Sequence, residues 1–141
     1  MRTRDQYVES LRDGREVYYQ GERVADVTTH PELSLAVRHA AIDYDMAHDP
    51  AWTSLAVEGS GANAYSSYFK LPKSSADLLH RSELIEAATT LGGTLVVLIK
   101  EIGTDALLAL HLTAHATDQK KHTHYLDRVR RFYGHVKTND L

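Results

Sequence analysis

The sequence predicts a mainly α-helical fold carrying one or two small β-hairpins. Three observations point there. Apolar residues recur at alternating spacings of three and four through long segments, serine, threonine and proline stand where helices begin, and short β-branched or aromatic runs flank glycine turns.

Thr3 is placed to cap a helix through about Leu11, with Tyr7, Val8 and Leu11 on one side, and Asp13-Gly14 stops it. Glu16-Val17-Tyr18-Tyr19, Gln20-Gly21 and Glu22-Arg23-Val24 read as two short strands about a tight turn. Thr29 before His30-Pro31-Glu32 predicts one amphipathic helix bearing Leu33, Val37, Ala40, Tyr44 and Ala47, ending near His48-Asp49-Pro50. Ser54–Val57 and Tyr65–Phe69, separated by Gly59-Ser60-Gly61, predict a second hairpin or an ordered loop.

Ser74 or Ser75 with Asp77 opens a long helix with a stripe of Leu84, Ala88, Leu91, Leu95, Leu98 and Ile102. Gly92-Gly93-Thr94 is its weak link, and Thr94–Ile99 alone also suits a buried strand; the reading favours helix. Gly103-Thr104-Asp105 is expected to break and restart the chain. Ala106–Leu112 is apolar nearly all round and so needs neighbours to cover it. A last helix from about Lys121 carries Leu126, Val129, Tyr133 and Val136.

The 141 residues suit a single domain with a real core. There is no cysteine, which removes disulfides, thiolate zinc sites, iron–sulfur ligation and a cysteine nucleophile from this chain. The net charge of -3, from 16 basic and 19 acidic side chains, provides no polybasic field, so nucleic acid is not an expected partner. With neither a signal-type N-terminus nor a membrane span, the expected location is the cytoplasm.

His111 and His115 stand at i and i+4, the spacing of a helix-borne metal pair, with His122 and His124 close behind. No glutamate lies between them as in zinc proteases, so the reading favours hydrogen-bonded core or interface histidines over a metal site. Gly92-Gly93 and Gly59-Ser60-Gly61 lack the lysine and strand–helix setting of phosphate loops, Ser10, Ser66 and Ser67 lack a nucleophile elbow, and Arg128, Arg130 and Arg131 read as a solvated face. No complete catalytic set emerges, and the chain is expected to be one part of a larger enzyme.

The run Tyr7–Tyr18, continued by Gly21-Glu22-Arg23-Val24 and Asp26–Pro31, resembles the start of 4-hydroxyphenylacetate 3-monooxygenase oxygenase components. The wider family includes pyoverdine-type hydroxylases and 4-hydroxybutyryl-CoA dehydratase. The likeness continues through Ala47–Pro50, Asp77-Leu78, Arg81 and Asn139-Asp140-Leu141. It implies the N-terminal helical domain of an acyl-CoA-dehydrogenase-like fold, residues 1–141 being the first of three domains. A middle β domain and a C-terminal helical bundle would hold most of the FAD, reduced by a separate flavin reductase, in a homo- or hetero-oligomer. In that family the first domain helps wall the pocket of a phenol.

The resemblance places the pocket wall at Lys100, Ile102, Asp105 and Ala106. Asp105 matches the monooxygenase pattern, whereas Ile102 and Ala106 replace its substrate-touching arginine and tyrosine. Gly103–Ala106 is closer to the dehydratase branch, whose upstream cysteines help ligate an iron–sulfur cluster; without cysteine, no such cluster is expected here. Two other readings stay open: a binding or scaffolding module that kept the fold, and a cluster-free dehydratase- or isomerase-like homologue.

Overall fold

The computed structural model describes residues 1–93 and 99–141. Helix α1, Arg4–Ser10, starts as expected: Thr3 accepts from the Gln6 amide while the Gln6 side chain accepts from the Thr3 amide. The hairpin follows as β1, Val17–Tyr19, and β2, Glu22–Val24, with Tyr19 opposite Glu22. Gln20 and Gly21 both take positive φ, 51° and 87°, the twist that a two-residue turn demands.

The single helix expected after Thr29 is two helices, α2, Leu33–Ala40, and α3, Ile42–His48. Thr29 is not the cap. Its hydroxyl turns back to the Asp26 carbonyl, and the imidazole of His30 accepts from the Glu32 and Leu33 amides at 3.2 Å each, deferring the helix to Leu33. The break falls at fully buried Ala41, where the Tyr44 amide bonds three residues back, a local tightening with no change of direction signal in the sequence.

Helix α4, Thr53–Ala56, leads into β3, Val57–Glu58, which pairs with β4, Tyr65–Ser66, so the second hairpin exists in its shortest form. Gly59 has φ +77°, and a Cβ there would lie 2.7 Å from the Asn63 carbonyl oxygen, so only glycine fits. A 3-10 turn, Ser67–Phe69, follows.

Helix α5, Ser75–Gly92, has the Ser74–Asp77 capping box and ends at Gly93 in the left-handed region. The long helix predicted through Ile102 therefore stops here, because Gly93 supplies the turn that terminates it. Whether Thr94–Leu98 is helix or strand lies outside the described residues.

Helix α6, Ile99–Lys121, runs straight through Gly103-Thr104-Asp105, where a break was expected. Thr104 donates to the Lys100 carbonyl at 2.8 Å within the helix, and its hydroxyl accepts from Arg81 of α5, a tertiary bond that helps offset the roughly 1 kcal/mol that a helical glycine costs. Helix α7, Tyr125–Asn139, starts four residues later than predicted. Asp118, near the end of α6, sets that start by accepting from Thr123 and from the Tyr125 and Leu126 amides at 2.6 to 2.9 Å. Among the described residues no helix is long and apolar enough to cross a membrane.

Two apolar clusters form the core. Met46, Ala56, Tyr68, Leu84 and Ala88 join α3, α4 and α5, whereas Phe69, Leu107 and Val136 join α6 and α7. Tyr68 and Phe69 are neighbours in sequence, so the 3-10 turn wedges one ring into each cluster. Leu84→Ala, at a fully buried site, should lower the unfolding free energy by about 2–5 kcal/mol. Ser74→Ala should lower it by only about 1 kcal/mol through loss of the cap, an ordering that urea melts monitored by circular dichroism would check.

Candidate functional site

The inward face of α6 is set by helical spacing: Lys100, Thr104 and Leu107 fall at i, i+4 and i+7, and all three are buried. They form one wall of a cavity of about 290 Å³. Tyr7 of α1, Asp43 and Tyr44 of α3, Phe69, and Phe132 and Val136 of α7 close the remainder, so almost the whole lining is apolar or aromatic.

Two charged side chains cross this apolar setting. Lys100 Nζ lies 2.8 Å from Asp140 Oδ1, with both side chains almost wholly inaccessible, and sits 4.2 Å from the centre of the Tyr44 ring. Asp140 can reach it because it takes a left-handed conformation, φ 49°, at the end of α7. Its other carboxylate oxygen accepts from the Arg2 amide at 3.1 Å, and its carbonyl accepts from the Tyr44 hydroxyl at 3.3 Å. The pair thus fastens α6, α7, α3 and the N-terminal segment together.

Asp43 is the second charge, and among the described residues its Oδ1 has no hydrogen-bond partner. Burial pushes its carboxyl up to about 6, against the opposing pull of Lys100. Burial likewise moves the Tyr44 hydroxyl up to about 12 and raises that of Tyr68, which the charge on Asp43 raises further.

A third polar centre adjoins the cavity. Arg81 of α5 donates to the Tyr68 carbonyl at 3.1 Å, to Thr104 Oγ1 at 2.8 Å, to the Glu101 carbonyl at 3.3 Å and to Asp105 Oδ1 at 2.5 Å. One guanidinium therefore links α5, the 3-10 turn and the first turns of α6.

The four sequence-chosen pocket positions do not converge. Lys100 faces the cavity, Asp105 is drawn to Arg81, and Ile102 and Ala106 lie on the opposite, exposed face of α6. Among the described residues the buried Nδ1 of His111 has no partner, whereas the exposed His115 ring stands 3.5 Å from the Gln119 side chain. Among the described residues no group of three or more histidine, cysteine, aspartate or glutamate side chains is placed to hold a metal. Sequence reasoning missed Asp43 altogether and read Tyr44 only as part of an apolar stripe.

Residues 3–141 match the family described as 4-hydroxyphenylacetate 3-hydroxylase N terminal. The chain belongs to that family. It is 46% identical over 89 residues to the oxygenase component of 4-nitrophenol 2-monooxygenase from a Rhodococcus species, a stretch covering 60% of this chain and 17% of that protein. An oxygen-tolerant archaeal 4-hydroxybutyryl-CoA dehydratase from N. maritimus superposes with a TM-score of 0.87 at 28% identity, over 99% of this chain and 28% of that one. The oxygenase component of 4-hydroxyphenylacetate 3-monooxygenase, solved with FAD and 4-hydroxyphenylacetate, gives 0.73 at 24% identity over 100% and 29%, a likeness of fold alone. The chain thus spans under a third of the length of those proteins, and its fold is the N-terminal helical domain of the acyl-CoA-dehydrogenase-like class.

A flavin dinucleotide does not fit the cavity. Its volume lies at or below the lower end of the roughly 300–1,000 Å³ typical of small-molecule sites, and its buried cation is already paired with Asp140. A thiolate-held cluster fails on donor chemistry, since the chain has no cysteine.

Two outcomes follow from these buried charges. The Asp43 carboxyl titrates higher in the fold than in the unfolded chain, where about 3.9 is usual, so its contribution is most favourable below pH 4 and is lost as pH rises through 6. Asp43→Asn should remove a pH-dependent change of about 2 kcal/mol across that window, read from urea melts at pH 4 and pH 7. Lys100→Met strands the Asp140 carboxylate and should cost about 3–5 kcal/mol, whereas adding Asp140→Asn should restore most of it in a double-mutant cycle.

Proposed function

We propose that the chain is the N-terminal domain, residues 1–141, of a two-component, reduced-flavin-dependent monooxygenase of the 4-hydroxyphenylacetate 3-hydroxylase type. The family match over residues 3–141 carries this reading, because it takes in the described fold from α1 to α7. The Rhodococcus relative is named for oxidation of 4-nitrophenol, and the 4-hydroxyphenylacetate 3-monooxygenase oxygenase component was solved in complex with FAD and 4-hydroxyphenylacetate. The chain's role would be to wall the substrate pocket and to mediate assembly in the cytoplasm.

The residues that would face substrate are the exposed positions Ile102 and Ala106, with Asp105 beside them steadied by Arg81. Lys100 would act from behind, holding the helix in place through Asp140. FAD, reduced by a separate flavin reductase and bound mainly by the middle and C-terminal domains, would supply oxygen activation. Aliphatic Ile102 and small Ala106 leave an apolar wall with no charged contact for an anionic substrate, so a neutral aromatic suits it best.

The TM-score of 0.87 to the dehydratase favours a second reading, a dehydratase- or isomerase-like homologue without an iron–sulfur cluster bound by this chain. Purified chain mixed with the domains encoded downstream and FAD should give a complex that retains flavin through gel filtration. Adding a reductase, NADH and 4-nitrophenol should then yield a hydroxylated product by mass spectrometry. A complex that turned over 4-hydroxybutyryl-CoA instead would select the second reading, and no complex at all would leave a scaffolding module.

A further inference from the structure

Three buried charges gather around the inward cavity, and only two of them are paired. Lys100 and Asp140 bond at 2.8 Å, whereas Asp43, 6% exposed, makes no ion pair among the described residues and its Oδ1 accepts no hydrogen bond. The Tyr68 hydroxyl, close enough for the Asp43 charge to hold its proton more tightly, is likewise unpartnered among the described residues. With both carboxylates ionised and Lys100 protonated, two negative charges stand against one positive, a net charge of -1 in an apolar setting. The next charged groups, Glu101 of α6 and Arg2 of the N-terminal segment, carry opposite signs.

We propose that this cavity is a binding site for a small primary ammonium ion carried on a single aromatic ring, its nitrogen donating to Asp43 Oδ1 and its ring lying against Tyr7, Phe69 and Phe132. Size, charge and lining select this class of ligand. The volume of about 290 Å³ exceeds the roughly 150 Å³ void that takes up one benzene, so one ring with a short arm fits. A buried, unpaired carboxylate favours a positively charged donor, which forms a charge-assisted hydrogen bond and brings the group of charges to neutrality. An anion would meet Asp43 and find Lys100 already taken by Asp140.

The lining has the right electronic character as well. It already seats one primary ammonium, since Lys100 Nζ lies 4.2 Å from the centre of the Tyr44 ring and 5.9 Å from that of Phe69, beside a carboxylate. Asp43 offers the same chemistry a second time. Phe132 and Leu141, 58% and 47% exposed, stand at the mouth. Ile102 and Ala106, on the outer face of α6, do not line this cavity, so its occupant touches neither. Because the lining joins α1, α3, α6 and α7, an occupant adds its binding energy to the stability of the fold and raises Tm.

Calorimetry on the 141-residue chain at pH 7.5 compares benzylamine with benzyl alcohol, its neutral counterpart, and benzoate, its anionic one. Benzylamine should bind about 10-fold or more tightly than the alcohol and should raise Tm, with benzoate not binding. Asp43→Asn keeps the shape and removes the charge, and should reduce benzylamine to the affinity of the alcohol. Burial raises the Asp43 carboxyl to about 6, so at pH 5 it is mostly protonated and the unaltered chain should lose about 10-fold in benzylamine affinity, an arm that needs no variant to fold. Equal affinity for amine and alcohol would make the cavity an apolar site with no use for Asp43. Amine binding undiminished by Asp43→Asn or at pH 5 would put the amine elsewhere, and tighter binding of benzoate would make Lys100 the available charge. No binding of any of these probes would leave Asp43 satisfied within the fold. Each of these results overturns the proposal.

Discussion

Arg81 is one side chain of α5, but its donors meet two other pieces of the fold. It reaches the Tyr68 carbonyl in the turn between the two cores and, in α6, Thr104, the Glu101 carbonyl and Asp105. Arginine suits this place because its planar fork keeps its charge when nine-tenths buried and satisfies several acceptors at once. Without it the Tyr68 carbonyl and the Thr104 hydroxyl would lose a buried donor, and the helical turn around Gly103 would rely on backbone bonds alone. The direction in which α6 points each of its residues follows from this clamp.

The Lys100–Asp140 pair plays a different part. Its attraction is opposed by the desolvation of both charges, so it is weak evidence for net stability. What it supplies is registration: Lys100 lies in the first turns of α6 and Asp140 at the end of α7, and the pair forms only if the helical hairpin closes with the correct offset. Arg81 on one side and Asp140 on the other therefore hold the start of α6 at two points. Ile102 and Ala106, on the outward face between them, are presented by a rigid helix and not by a loop.

Much of the fold was legible because its signals are local. The Thr3–Gln6 and Ser74–Asp77 boxes lie within four residues, and the Gln20-Gly21 turn needs only its own φ angles. The misreadings share a cause. Gly103 reads as a breaker until Arg81, 22 positions earlier, is brought against Thr104, and α7 reads as starting near Lys121 until Asp118 is seen to cap it from another helix. His30 displaced Thr29 as cap through a ring nitrogen, for which sequence rules give little weight. Asp43 could not have been found at all: an acid beside Tyr44 in an amphipathic helix looks solvated, and only the arrival of α6 and α7 buries it.

The same argument explains why an apolar run was recognised yet misjudged. Ala106–Leu112 reads as buried on most sides, but only Leu107 is buried; Leu110 and Leu112 face solvent in this chain. A pattern records burial in the assembly for which a chain is built, whereas accessibility in one chain records only the neighbours present. The discrepancy is confined to the face that begins with Ile102 and Ala106, while Lys100, Thr104 and Leu107, on the inward side, are buried as amphipathic spacing requires. The buried side of α6 is thus satisfied by this fold, whereas its outer side faces solvent in this chain.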